Sequence, residues 1–391
     1  MQAVLLQREP TVSGNPESAA ALPLYVDAAP LREPRLTGIA RFVARLICAL
    51  ARRRRLYLFL PGLFQDVVLD ARRLPDLALG VDDWVRCLWK LPRSKHRPER
   101  AQASTGLYTV LRPETRYFRR EIGIFYDLTP LVIPNCHAES TRENFGAFYG
   151  QTAALCDRIL AISQSTRRDA GWLSSARPEN IVVGYPGPSL CVHGHLATDP
   201  GPRHANVILA VAALEPRKNG PFVLDWFLRS TVLPENFELW WVGPKAWWAK
   251  AEHLRELEQK QGNRRIRFLG MVSDKRLCEL YRQATYTIYP SLYEGFGFPV
   301  LDSLLHGAPV LCSFNSSLQE FACPGVHYFD AGDPQSLDHA WCEARRNPQP
   351  LDSEDSLRKR YSWDRLARQV LEMADEDSEQ TQLLAGRADL P

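Results

Sequence analysis

Short apolar runs alternate along this chain with longer stretches whose apolar positions recur at helical spacing. Leu22 to Val26, Leu56 to Leu60, Ile122 to Tyr126 and Arg158 to Ile162 read as strands of a first half. Val207 to Leu214, Glu238 to Val242, Ile266 to Leu269, Tyr286 to Tyr289 and Pro309 to Cys312 read as strands of a second. Between them lie helical patterns, the first opened by Thr37-Gly38-Ile39 and others at Val300 to Leu305 and Trp363 to Met373. Strands alternating with helices predict parallel sheets covered on both faces. Residues 70–118 carry no strong period, so variable loops and short helices are expected there.

The strongest cluster of chain breakers, Tyr185-Pro-Gly-Pro-Ser189 followed by Asp199-Pro-Gly-Pro202, predicts a linker between the halves. The expected organisation is a poorly ordered 1–21, an N-terminal domain over 22–188 and a linker over 189–205. A C-terminal domain over 206–362 and a terminal segment over 363–391 follow. The predicted fold class is α/β, with two Rossmann-like domains.

Composition narrows the class without choosing a function. The chain has 391 residues, 45% hydrophobic and 24% charged, which is enough for two soluble domains of ordinary size. A formal net charge of +3 gives no case for nucleic acid as a partner. The nine cysteines form no Cys-x-x-Cys pair, which argues for reduced thiols and against a zinc ribbon. No stretch approaches the roughly 20 apolar residues of a membrane span. The N-terminus is too polar for a secretory signal, so a cytoplasmic location is expected.

The richest chemistry lies in Ser291-Leu-Tyr-Glu294-Gly-Phe-Gly-Phe298-Pro-Val-Leu-Asp302. A strand end, a glycine-rich turn and a helix start together make an anion site, because unpaired amides and the helix dipole point outward. Two carboxylates flanking that turn suit a ligand with both phosphate and hydroxyl groups. The segment resembles the Glu-x7-Glu signature of family-4 retaining glycosyltransferases, which have the GT-B architecture of two Rossmann-like domains facing a central cleft. The resemblance implies that Glu294 binds donor-sugar hydroxyls and that Gly295, Phe296, Gly297 and Phe298 form the donor loop. It puts Asp302, one methylene shorter than the family's Glu, at the ribose.

Glu215-Pro-Arg217-Lys218-Asn219 resembles the family's Glu-x-Arg-Lys-Asn segment, which implies that Arg217 and Lys218 clamp the donor phosphates. A planar guanidinium fork and a mobile ammonium suit a diphosphate on chemical grounds as well. Gly38 resembles the glycine turn after the family's first strand, although capping explains it equally. Gly243 matches a strand-end glycine near the nucleotide, with a simple turn as the alternative. Phe125-Tyr126-Asp127-Leu-Thr-Pro130 matches the family's His-Asp-Leu-x-Pro segment with Tyr126 in the histidine position. A phenol is neutral near pH 7 and cannot act as the base that histidine can. Asp127 is either an acceptor-binding acid or a turn cap. His137 reads as a surface or packed residue within reach of the cleft, and Ser163 to Asp169 as a capped helix start.

The resemblance therefore implies a retaining hexosyltransferase of bacterial surface polysaccharide, with mannose from GDP-mannose as the first choice. The donor is a nucleoside-diphosphate sugar and the acceptor a glycan or polyprenyl-linked sugar. The helix at Trp363 is expected to cross back to the first domain. No cofactor and no metal are expected, since no ligand cluster shows in the sequence. Arg52-Arg-Arg-Arg55, Arg93 to Arg100 and Arg116 to Arg120, with Trp84 and Trp89, predict contact with an anionic membrane, solvated faces being the alternative. A nicotinamide-dependent oxidoreductase is disfavoured because neither half has a Gly-x-Gly-x-x-Gly turn. A scaffold that kept the fold without activity stays open on the Tyr126 and Asp302 departures.

Overall fold

A computed structural model describes residues 24–33, 37–60, 81–89, 102–110, 112, 114–190, 206–244 and 265–376. The expected disordered start, the Arg93 to Arg100 run, most of the 189–205 linker and the tail beyond 376 lie outside the described residues.

Two parallel six-stranded sheets organise the chain. The first is built from β1 (Leu24–Asp27), β2 (Leu56–Phe59), β3 (Thr105–Tyr108), β4 (Arg120–Phe125), β5 (Arg158–Ala161) and β6 (Ile181–Val183), in the spatial order β2-β1-β3-β4-β5-β6. The second uses β7 (Val207–Val211), β8 (Glu238–Val242), β9 (Ile266–Gly270), β10 (Tyr286–Tyr289), β11 (Val310–Ser313) and β12 (Val326–Phe329), in the order β12-β11-β10-β7-β8-β9. Central strands such as β1, β10 and β11, and the edge strand β2, are buried at every residue, as parallel strands covered on both faces must be. In both sheets the strand order reverses beside the first strand, where crevices open at the carboxyl ends.

Three strands, β3, β6 and β12, are missing from the sequence reading, and β3 corrects it outright. β3 lies inside residues 70–118, where loops and short helices were expected. Its four residues are too short to show a period, and its central Gly106 leaves room for the Phe118 ring, which a Cβ there would strike. Trp84 and Trp89 are a second correction. Trp84 is fully buried in the first core, and Trp89 packs against that core with its indole N–H donating to the Leu31 carbonyl at 2.9 Å. Neither ring is free for a membrane interface. Several arginines of the basic stretch are likewise engaged, Arg54 with Asp375, Arg116 with Asp157 and Arg120 with Glu376.

The helix Trp363–Asp375 packs on the helix Gly38–Ala51, burying Leu366, Ala367, Val370 and Met373 in the same core as β1 and β2. Thr105 Oγ1 donates to the Ala374 carbonyl at 3.2 Å and Arg120 to the Met373 carbonyl at 3.0 Å. The last helix is thus part of the first domain's core. Leu366→Ala should cost about 2–5 kcal/mol, the usual range for a buried leucine truncation. Urea unfolding followed by tryptophan fluorescence measures it, and a cost near zero would mean the helix is not integral to that core.

Candidate active site

The two sheets face each other across a seam that holds nearly all the singled-out residues. Strand β7 ends in a turn that leads to the short 3-10 helix Pro216–Lys218, and Asn219 follows in the left-handed region at φ 53°. That geometry turns Arg217 and Lys218 back toward the strand ends. Strand β10 runs into the glycine loop, and Gly297, at φ 113°, starts the helix Phe298–Leu305. The positive φ explains why glycine stands there.

These two turns bring three side chains together. The Glu294 carboxylate lies 2.8 Å from Arg217 Nη1 and 2.5 Å from Lys218 Nζ. Lys218 also donates to the Tyr289 hydroxyl at 2.9 Å, and Arg217 to the Tyr293 carbonyl at 3.1 Å and to Glu215 at 2.9 Å. Only 9% of the Glu294 side chain is exposed. Burial alone would raise its pKa, but the charges of Arg217 and then Lys218 outweigh burial and hold it down at about 2. Burial and the Arg217 charge lower the Lys218 pKa against the pull of Glu294. Ser316 and Ser317 fix the loop itself. The Glu294 amide donates to Ser316 Oγ at 2.9 Å, while Ser317 Oγ donates to the Glu294 and Phe296 carbonyls at 2.8 and 2.9 Å.

Gly295 sits where the domains touch. A Cβ there would collide with the Tyr126 carbonyl oxygen and crowd Asp127, so only glycine admits this approach. Thr166 Oγ1 lies 3.2 Å from the Tyr126 carbonyl and 3.3 Å from the Gly295 carbonyl, touching both domains. Glu320 of the second domain accepts from the Gln164 and Ser165 amides at 3.0 and 2.8 Å, capping a helix of the first. The Tyr293 hydroxyl donates to Asp169 at 2.7 Å. None of these partners announces itself in the sequence, because each pairing exists only once the sheets are docked.

Two cavities flank the seam. One, of about 330 Å³, is lined by Gly38, Ser189, Gly243, Met271, Phe298 and Trp363, among others. Gly243, at φ 145°, lies against the Ala212 carbonyl with no space for a side chain. Thr37 caps its helix by accepting from the Ala40 amide at 3.4 Å, so the capping role is present while Gly38 borders the cavity. The other cavity, of about 250 Å³, is lined by Tyr126, Asp127, Thr129, His137, Tyr149 and Arg217 together with smaller apolar groups. Asp127 accepts from the Thr129 amide at 3.0 Å and the Thr129 hydroxyl at 2.7 Å, so it does make the turn-capping bonds.

Tyr126 and His137 each carry a buried polar atom, the hydroxyl and Nε2, with no partner among the described residues. Burial, with Asp27 adding to it, raises the Tyr126 pKa, and burial followed by the Arg217 charge lowers that of His137. Both are therefore neutral at physiological pH. Asp302 differs from the rest. It is 2% exposed and its carboxylate is taken up by Ser189 and Leu190 and not by a cation; like Glu294 and Lys218 it borders neither cavity. Among the described residues no group of three or more His, Cys, Asp or Glu is placed to hold a metal, and no helix is long and apolar enough to cross a membrane.

The ion cluster sets a pH test. A carboxylate whose folded pKa is depressed stabilises the fold above its unfolded value of 4.5, and the contribution disappears as pH falls toward about 2. Glu294→Gln also strands two buried cations, so it should lower stability at pH 7 by about 3–5 kcal/mol. The gap from the unaltered protein should close between about pH 5 and pH 2. Melting temperatures across that range check this, and a gap independent of pH would contradict the pairing.

The comparisons with known proteins agree with this geometry. Residues 205–347 match the family described as glycosyl transferases group 1. The serotype-specific mannosyltransferase WbdA of Escherichia coli is 27% identical over 234 residues, covering 55% of this chain and 28% of that protein. O-antigen chain mannosyltransferase B of Escherichia coli is 32% identical over 235 residues, covering 56% of this chain and 58% of the other. The chain thus spans under two thirds of the length of either relative. Among solved structures, sucrose-phosphate synthase from Thermosynechococcus elongatus superposes with a TM-score of 0.65 at 15% identity, over 93% of this chain and 100% of that one. With the Arg217, Lys218 and Glu294 motifs inside the matched segment and the two facing sheets around them, residues 205–347 are similar to the group 1 glycosyl transferases, and the chain has the GT-B fold of the solved structures.

Proposed function

We propose that this chain is a retaining hexosyltransferase that moves mannose from a nucleoside-diphosphate sugar, GDP-mannose first, to a glycan or polyprenyl-linked acceptor of a bacterial surface polysaccharide. The observation that carries the reading is the buried Glu294 carboxylate shared by Arg217 and Lys218 on the loop between the two cavities. The larger cavity takes the nucleotide, with Gly38, Gly243 and Phe298 on its wall. The smaller takes the acceptor sugar beside Asp127. The mannosyltransferase names of the relatives support the choice of sugar.

Chemically, the bond between the sugar's anomeric carbon and the diphosphate oxygen breaks while the acceptor hydroxyl bonds to the same carbon from the same face. The hydroxyl proton passes to the departing diphosphate. Negative charge grows on that diphosphate, and Arg217 and Lys218 are placed to meet it in a water-poor site, where such charges count most. Glu294, kept ionised by the same cations, accepts hydrogen bonds from sugar hydroxyls and orients the ring.

Incubation of the purified protein with GDP-mannose and an acceptor glycan, read by the anomeric configuration in NMR, tests this. The α-configuration of the donor should be retained, and an inverted product would reject the mechanism. Arg217→Ala should lower kcat by about 10²–10³, the usual cost of removing one charge-stabilising donor. Transfer that survives Glu294→Ala would show that another residue orients the sugar. We also infer that the acceptor is met at an anionic membrane, through exposed arginines such as Arg52 and Arg55. Sedimentation with liposomes checks this, and binding indifferent to salt and anionic lipid would count against it.

A further inference from the structure

Asp302 ends the donor motif, yet its carboxylate does not reach the cavity. Its Oδ1 accepts from the Ser189 amide at 3.0 Å and the Leu190 amide at 3.3 Å, and its Oδ2 accepts from the Ser189 hydroxyl. Ser189, by contrast, is partly exposed and lines the larger cavity together with Phe298 and Pro299. The same cavity carries the apolar Val211, Val242 and Leu277, which suit the flat face of a base. In the proposed function the phosphates lie at Arg217 and Lys218, outside this cavity, and the ribose that joins them to the base is met within it.

We infer that Ser189 is the residue that binds the donor's ribose, and that Asp302 positions it as the second member of a relay. A serine hydroxyl that donates its single proton to Asp302 keeps its lone pairs for an incoming donor. A ribose hydroxyl is such a donor. The Ser189 oxygen fills the distance that the missing methylene of Asp302 leaves open. The charge behind it strengthens the bond, since a hydroxyl polarised by a carboxylate is a better acceptor. Arg45, bordering the same cavity, favours the ionised form of Asp302, although burial raises that carboxyl's pKa to about 6. The inference rests on the nucleotide reading of this cavity and assigns a residue to one part of it.

The test compares binding of GDP with that of 2′,3′-dideoxy-GDP by calorimetry, with the UDP and ADP pairs run alongside. The unaltered protein should prefer the ribonucleotide by about tenfold or more, the value of one hydrogen bond to a charge-backed group. Ser189→Ala should erase the preference while leaving dideoxynucleotide affinity within about twofold of the original. If that variant does not fold, Ser189→Cys carries the comparison, because a thiol is a weak acceptor of the same shape. Adding Asp302→Glu to Ser189→Ala should restore the preference, the longer carboxylate now reaching the sugar directly. A preference that survives loss of the hydroxyl overturns the relay alone. Failure of every ribonucleotide to bind the unaltered protein overturns the nucleotide reading of the cavity, and the relay with it.

Discussion

The pairing of Glu294 with Arg217 and Lys218 is the interaction on which the rest of the site depends. Three charges are buried at a point where water cannot neutralise them, and their mutual attraction is what makes that burial tolerable. The arrangement is stored charge as much as it is structure. Two cations held by a carboxylate are preorganised for an anion that can replace part of its contacts, and a diphosphate has the oxygens to do so. The serines at 316 and 317 and the Tyr289 hydroxyl surround the cluster with hydrogen bonds, so its geometry is set before any ligand arrives.

The second constraint is the closeness of the two domains. Gly295 lies against the Tyr126 carbonyl, and Thr166, Glu320 and Tyr293 bond across the same seam. These contacts place the glycine loop of one domain beside Asp127 and Tyr126 of the other. They also set the two cavities side by side, with Arg217 on the wall of one and Phe298 on that of the other. The terminal helix, packed on the first core, brings Trp363 to the larger cavity, where its ring lies 5.1 Å from Phe42 and its N–H donates to the Pro188 carbonyl. A segment distant in sequence thus completes the wall of that cavity.

Several sequence expectations were refined by position. Strands such as Glu238 to Val242 and Tyr286 to Tyr289 are where their apolar runs place them, because a buried parallel strand needs little beyond a short apolar run. β3 was hidden because four residues with a glycine among them carry no period. Trp84 and Trp89 looked like interfacial rings beside arginines, but a tryptophan's large apolar area fits a core equally well. Asp302 had a ribose role by analogy, and the fold instead gives its carboxylate to Ser189.

Taken alone, the amino-acid order determined two α/β halves and a glycine-rich loop with Glu294, together with a basic turn at Arg217 and Lys218. Local spacing suffices for those, since strand, turn and helix start are each specified by neighbouring residues. Tertiary structure decided which charges meet, why Gly295 must be glycine, and that Ser189 rather than Asp302 faces the cavity. Those facts depend on contacts between residues 76 or more positions apart, and no local pattern records a distance of that kind.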